Sequence, residues 1–195
     1  MTIPYTVDRR PDTGVSNVTL GVWLFLASEV MLFGALFSAY ALLRSSSPSW
    51  PSGLETLSLT FGAGNTAILV IATMLAWQSR RAAMAAPASI AAVRGWLLAA
   101  TTAGAAFVVV KGLEYRGEIA RGLVPSVNTF VAMYFVLTGL HAVHVVGGMI
   151  ANLWAAAGAV RVGAPMTAGR VRAITLYWAF VDLVWLVILV SMYLT

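Results

Sequence analysis

Sixty per cent of the 195 residues are apolar and only 10% are charged, with a mean hydropathy of +0.86, a balance that excludes an ordinary soluble domain and indicates a polytopic membrane protein. The net charge of +5 is scattered over loops, with no basic run interleaved with aromatics, so the basic pI is no argument for a nucleic-acid partner. With no cysteine and only two histidines, disulfides, thiolate metal centres and iron-sulfur clusters are excluded, and this chain alone cannot ligate two haems and a copper.

Residues 1–17 (MTIPYTVDRRPDTGVSN) are polar and hold two prolines, which predicts a solvated tail. The apolar run that follows is too long for a signal sequence and lacks a small-residue cleavage site, so it is expected to remain as the first membrane helix. That span, about 20–44, carries Glu29 near its middle. A hydrocarbon core about 30 Å thick needs roughly 20 helical residues, and an acid at its centre costs at least ~2.5 kcal/mol unless protonated or partnered. Another helix must therefore compensate Glu29.

Ser45 to Glu55 (SSSPSWPSGLE) has loop composition. The second span, 57–77, contains Gly62, Gly64 and Asn65, predicting a close helix contact bridged by an amide. A loop with Arg80, Arg81 and Arg94 leads to the third span, 95–115, whose last turns hold Lys111 and Glu114. Three residues apart, these share a helix face and can neutralise each other.

Val127 to Val160 lacks Asp, Glu, Lys and Arg and as straight helix would reach about 51 Å, so this fourth span should tilt or protrude. After Arg161, Pro165, Arg170 and Arg172, the fifth span runs over 173–195 and holds Asp182; no soluble tail is expected after it. Residues 18–195 thus read as one all-α membrane domain, a bundle of five transmembrane helices. Eight basic residues fall in the tail and the second and fourth loops, against three on the opposite side. The positive-inside rule then predicts a cytoplasmic N-terminus and a C-terminus across the membrane.

Four groups of ionisable side chains lie at membrane depth: Glu29, Lys111 with Glu114, His141 with His144, and Asp182. Facing lipid is costly for all of them, so they are expected to point into the bundle or toward a partner. Glu29 is either a protonated carboxyl acting as interhelical glue or a group working with protons or lipid. His141 and His144, at i and i+3, have a spacing that could hold a metal; without a third ligand nearby, neutral imidazoles donating interhelical hydrogen bonds are expected. Asp182 lies between Trp178 and Trp185 and is placed to accept an indole N–H.

The residues also carry a family resemblance. GVWLFLASEVMLFGALFSAY (Gly21 to Tyr40) is similar to the WLFLxSExxxFxxxFxAY segment of subunit III of haem-copper terminal oxidases, the cytochrome c and quinol oxidase superfamily. Asn65-Thr66, KGLEY (Lys111 to Tyr115), TGLHAVHVVGG (Thr138 to Gly148) and YWAFVDLVWL (Tyr177 to Leu186) resemble later motifs of that family, in order, on the four later spans.

The resemblance is to the five-helix form, which lacks two initial helices that wall a lipid-filled cleft in longer members, and Ala179 stands where the family usually has histidine. It implies an accessory subunit with no catalytic residue, no metal and no cofactor of its own, since haem and copper sit in subunits I and II. It further implies packing on subunit I, with subunit II and a small subunit IV as neighbours, and binding of structural phospholipids. Support of proton uptake and of stability during turnover follows too, in a bacterial inner membrane. Glu29 aligns with the family's carbodiimide-reactive glutamate. Tyr40, Asn65, Lys111, Glu114, His141, His144, Trp178, Asp182 and Trp185 are the expected lipid or interhelix contacts. Two rival readings are an accessory subunit of nitric oxide reductase clusters and a small proton-coupled transporter relaying through Glu29 and Asp182.

Overall fold

A computed structural model describes residues 17–195, apart from the side chains of 17–18 and 160–166; nearly all of the expected N-terminal tail lies outside the described residues. These residues form helices and loops without a strand, and five of the helices are long and apolar enough to cross a membrane. They are α1 (Asn17–Ser46), α2 (Leu59–Met84), α3 (Ile90–Ala120), α4 (Thr129–Ala159) and α5 (Thr167–Tyr193). A single turn, Gly53–Thr56, interrupts the first loop.

The helices outrun the apolar stretches that announce them. α2 continues through Arg80 and Arg81, and α3 includes Arg94 at its start and Arg116 at its end. Long basic side chains tolerate this because their stems lie along apolar surface while the charge reaches the headgroups. The starts of α3 and α4 are fixed locally: Ser89 Oγ accepts from the Ala92 amide at 3.3 Å, and Asn128 Oδ1 from the Val131 amide at 2.9 Å. α3 stops at Gly122, whose φ of +82° is the left-handed conformation that a glycine closes a helix with.

Helical backbone extends from Thr129 to Ile188, a length that as one rod would be about 90 Å. The pairs Tyr134 with Tyr193, His141 with Trp185, and Asn152 with Trp178 instead advance along one half while retreating along the other. α4 and α5 are therefore antiparallel neighbours. Gly148 allows this approach, since a Cβ there would meet Trp178 at 3.1 Å.

Buried positions recur at alternating spacings of three and four. In α2 they are Gly62, Asn65, Leu69, Ala72, Ala76, Ser79 and Ala83; in α3 they are Val93, Leu97, Ala100, Gly104, Phe107, Lys111, Glu114 and Glu118. This is the seam of two helices crossing at a shallow angle, and small residues in α2 let the backbones approach in the absence of a hydrophobic drive between helices in lipid. Gly62 does so against Leu189 and Tyr193. Gly64, expected to share the role, does not: a Cβ placed on it would have nothing within 4 Å.

α1 stands apart. Among its described side chains it buries only Leu26, Phe33 and Tyr40, seven residues apart on one stripe that also holds Glu29, and it rests mainly on the α4/α5 pair. Its end is tied by the Tyr40 hydroxyl, which donates to the Ser191 carbonyl at 2.5 Å and accepts from Arg44 at 3.2 Å. Ser191 belongs to a π-helical turn, Leu189–Tyr193, a widening that frees carbonyls from their usual partners.

Candidate functional site

Among the described residues, two centres of ionisable side chains cross between helices. The first joins α1 to α4. Glu29 Oε2 lies 2.7 Å from His144 Nε2, and their side chains are 13% and 11% exposed. His144 Nδ1 is 2.7 Å from the Leu140 carbonyl one turn earlier. A carbonyl only accepts, so Nδ1 carries a hydrogen, and in a neutral ring Nε2 is then an acceptor. A neutral His144 therefore requires a protonated Glu29, and an ionised Glu29 requires an imidazolium. In both cases one proton occupies the contact and the pair is neutral, which removes the cost of a lone buried charge.

Aromatic rings enclose this pair. Phe33 meets the His144 ring edge-on at 5.0 Å, and Tyr177 donates from its hydroxyl to the His144 carbonyl at 2.7 Å. Above it, toward the start of α1, an apolar opening of about 300 Å³ lies between α1 and the α4/α5 hairpin, lined by Val22, Phe25, Gly147, Ala151, Ile174 and Tyr177 among others.

The second centre is a closed network among α2, α3, α4 and α5. Lys111 Nζ donates to Glu114 Oε2 at 3.0 Å, to the Tyr134 hydroxyl at 3.0 Å and to the Tyr193 hydroxyl at 2.6 Å. Both hydroxyls donate in turn to Glu114 Oε1, at 2.8 and 2.6 Å. All three ammonium hydrogens are thereby used. The Asn65 amide approaches Glu114 Oε2 from α2 at 3.4 Å, and the Tyr134 ring faces the ammonium at 4.6 Å, a further stabilisation of a desolvated cation. Lys111 and Glu114 are each 1% exposed. Their sequence spacing predicts a self-neutralising couple; the two tyrosines and Asn65 make it a four-helix junction.

Trp185 and Trp178 extend the polar contacts. Trp185 Nε1 donates to Thr66 Oγ1 at 2.9 Å, and Trp178 Nε1 to Asn152 Oδ1 at 3.2 Å. Neither indole is therefore capped by Asp182, contrary to the expectation from their spacing. Asp182 looks toward α2 instead, lining an opening with Thr73 and Arg81. His141 also departs from expectation: it is fully buried between Phe107 and Trp185, and neither ring nitrogen has a hydrogen-bond partner. The two histidines, a turn apart, thus have different roles, because His144 points to α1 and His141 into the bundle.

Tyr134, Tyr193 and Asn152 escaped the reading of the sequence, and Thr66 entered it only as part of the Asn65-Thr66 motif, without its indole partner. A signal was present, since Tyr134 lies seven residues before His141 and Tyr193 eight after Trp185, on the buried faces of their helices. Among the described residues, no three His, Cys, Asp or Glu side chains converge as a metal site.

Comparison with known proteins identifies the family of the chain. The family model described as cytochrome c oxidase subunit III matches residues 11–195. The chain is 31% identical over 187 residues to the cytochrome bo(3) ubiquinol oxidase subunit 3 of Pseudomonas putida, covering 94% of this chain and 87% of that protein. It is 32% identical to the cytochrome c oxidase subunit 3 of Synechocystis sp., covering 89% and 74%. It is also 30% identical to the heme-copper oxidase subunit I+III of Aeropyrum pernix, covering 91% of this chain and 23% of that longer one. With the family model spanning nearly the whole chain, the protein belongs to the cytochrome c oxidase subunit III family.

Proposed function

We propose that the chain is the accessory third subunit of an aerobic respiratory haem-copper oxidase, within a complex that reduces O2 to water and translocates protons. The observation that carries this is the family match over residues 11–195, joined by relatives named as subunit 3 of both quinol and cytochrome c oxidases. Its redox-active partners, with their haem and copper, are the other oxidase subunits. The Aeropyrum pernix relative, named as a subunit I+III, supports subunit I as the direct neighbour, with subunit II and a small subunit IV as further members.

In this reading the chain contributes binding and proton handling. Residues 18–195 form one domain in a bacterial inner membrane. The N-terminus is cytoplasmic, on the side where Arg80, Arg81, Arg94, Arg170 and Arg172 gather. The Glu29–His144 contact holds one proton at membrane depth and passes no net charge into the bilayer. The apolar opening beside it, about 300 Å³, suits an acyl chain of a structural phospholipid. Neither a nitric oxide reductase accessory subunit nor a free-standing transporter draws support from any particular contact.

Replacing Glu29 with Ala tests the assignment. The purified complex keeps its full haem content and its initial O2 consumption, while activity declines faster during sustained turnover. Loss of haem with this substitution would overturn an accessory role.

A further inference from the structure

On the outer side of the bundle, an opening of about 350 Å³ separates α2 from α5, lined by Val70, Thr73, Trp77 and Arg81 of α2 and by Asp182 of α5. Asp182 Oδ1 and Thr73 Oγ1 are both buried without a well-formed hydrogen bond, and the Thr73 hydroxyl is the neighbour placed to reach the carboxyl. Even a threonine hydroxyl turned toward the carboxyl would offer it one hydrogen, against the four lone-pair sites of a carboxylate. Both residues lie close to mid-membrane: Thr73 is 14 residues from the start of α2 and 11 from its end, and Asp182 is 15 and 11 from the ends of α5. A polar group at that depth that finds no partner costs several kcal/mol, and acyl chains have no donor to offer it. The face around it is largely apolar and uncovered, with Gln78 and Arg81 at its edge toward the end of α2, Met74 at 62% exposure and Leu186, one turn beyond Asp182, at 45%.

We propose that this α2/α5 face docks a transmembrane helix of a partner oxidase subunit, and that the helix presents a hydrogen-bond donor, cationic or amide, to Asp182 at mid-membrane. The inference rests on the subunit reading above and deepens it by naming the face. Charge complementarity selects the occupant. A lipid tail fills the shape and leaves the carboxyl unanswered, whereas a donor on a packed helix satisfies it and is itself sheltered. The outer face of α1 differs: Trp23, Leu24 and Met31 are exposed there, and among the described residues no buried orphan polar atom accompanies them. It is the face for lipid.

The test uses the complex purified from native membranes, with a photo-reactive benzoylphenylalanine at Met74 in one variant and at Met31 in another. The Met74 variant yields a covalent adduct with a partner subunit, and the Met31 variant yields lipid adducts. Asp182→Leu reduces the fraction of this chain retained in the complex after detergent exchange by several-fold, while Asp182→Asn, which still accepts a hydrogen bond, retains most of it. The proposal is overturned if Met74 captures only lipid while the partner subunits copurify, or if Met31 captures the subunit instead. Rapid labelling of a Met74→Cys variant by a membrane-impermeant maleimide would also overturn it, by showing an opening filled with water. Failure of any oxidase subunit to copurify defeats the underlying subunit reading, and the docking face with it.

Discussion

Glu29 and His144 are 115 positions apart in the chain and meet at 2.7 Å, which makes this contact the mid-span polar anchor of a helix whose end is tied by Tyr40 and which touches its neighbours along one narrow stripe. The Leu140 carbonyl holds the imidazole in the tautomer that presents Nε2 to α1. The orientation of α1 thus depends on a hydrogen bond inside its neighbour.

Glu29→Ala leaves Nε2 without a partner and lowers stability by about 0.6–2 kcal/mol, the range of interhelical hydrogen bonds in membranes. Glu29→Gln is tolerated better, because its amide donates to the same nitrogen. A double-mutant cycle with His144→Ala, followed by thermal unfolding of the purified complex, should give non-additive losses on the order of 0.5 kcal/mol or more, as expected for residues in contact. Strict additivity would show that the two side chains do not interact.

The Lys111 network predicts a sharper asymmetry. Lys111→Met strands the Glu114 carboxyl among Tyr134 and Tyr193, and breaking a buried pair in this way costs about 3–5 kcal/mol. The double substitution Lys111→Met with Glu114→Gln removes both charges and recovers much of that loss. Unfolding in mixed micelles with increasing denaturing detergent ranks the variants, and a double variant no better than Lys111→Met would contradict the network as drawn.

Three glycines should respond differently to alanine. A Cβ on Gly53 collides with the Met192 backbone carbonyl, which cannot swing aside. At Gly104 the nearest atom is the flexible Met149 side chain, at 2.9 Å, and at Gly64 nothing lies within 4 Å. Stability should therefore fall most for Gly53→Ala and less for Gly104→Ala. Gly64→Ala should be neutral or stabilising by up to about 1 kcal/mol through helix propensity. Thermal melts of the three variants check the order.

Much of this was legible in the sequence where physics acts locally. Glu29, Lys111, Glu114 and Asp182 stand out because a charge inside an apolar run is expensive wherever the run lies. The five spans follow from length and hydropathy. Partners were harder to read, because they depend on how helices face each other. His141 and His144 look equivalent at i and i+3, yet a step of roughly 300° around the helix sends one to α1 and the other against Phe107 and Trp185. Asp182 likewise shares a region with Trp178 and Trp185, but those indoles point to Asn152 and Thr66. The tyrosines of the Lys111 network were missed because a tyrosine in a membrane span looks like one more aromatic until its hydroxyl is placed. The three-four stripe of α3, which carries Lys111 and Glu114 among Phe107, Gly104 and Leu97, was the available signal for their burial.

The central claim is that the chain serves a haem-copper oxidase without holding its redox centres. It is tested most directly by capturing the chain from native membranes through an affinity tag, then recording haem content, copper content and O2 consumption before and after the chain is stripped from its partners. The account predicts that haem, copper and O2 reduction all stay with the partner subunits, and that the stripped chain has none of them. Stoichiometric haem or copper on the stripped chain, or capture without any oxidase activity, would contradict it.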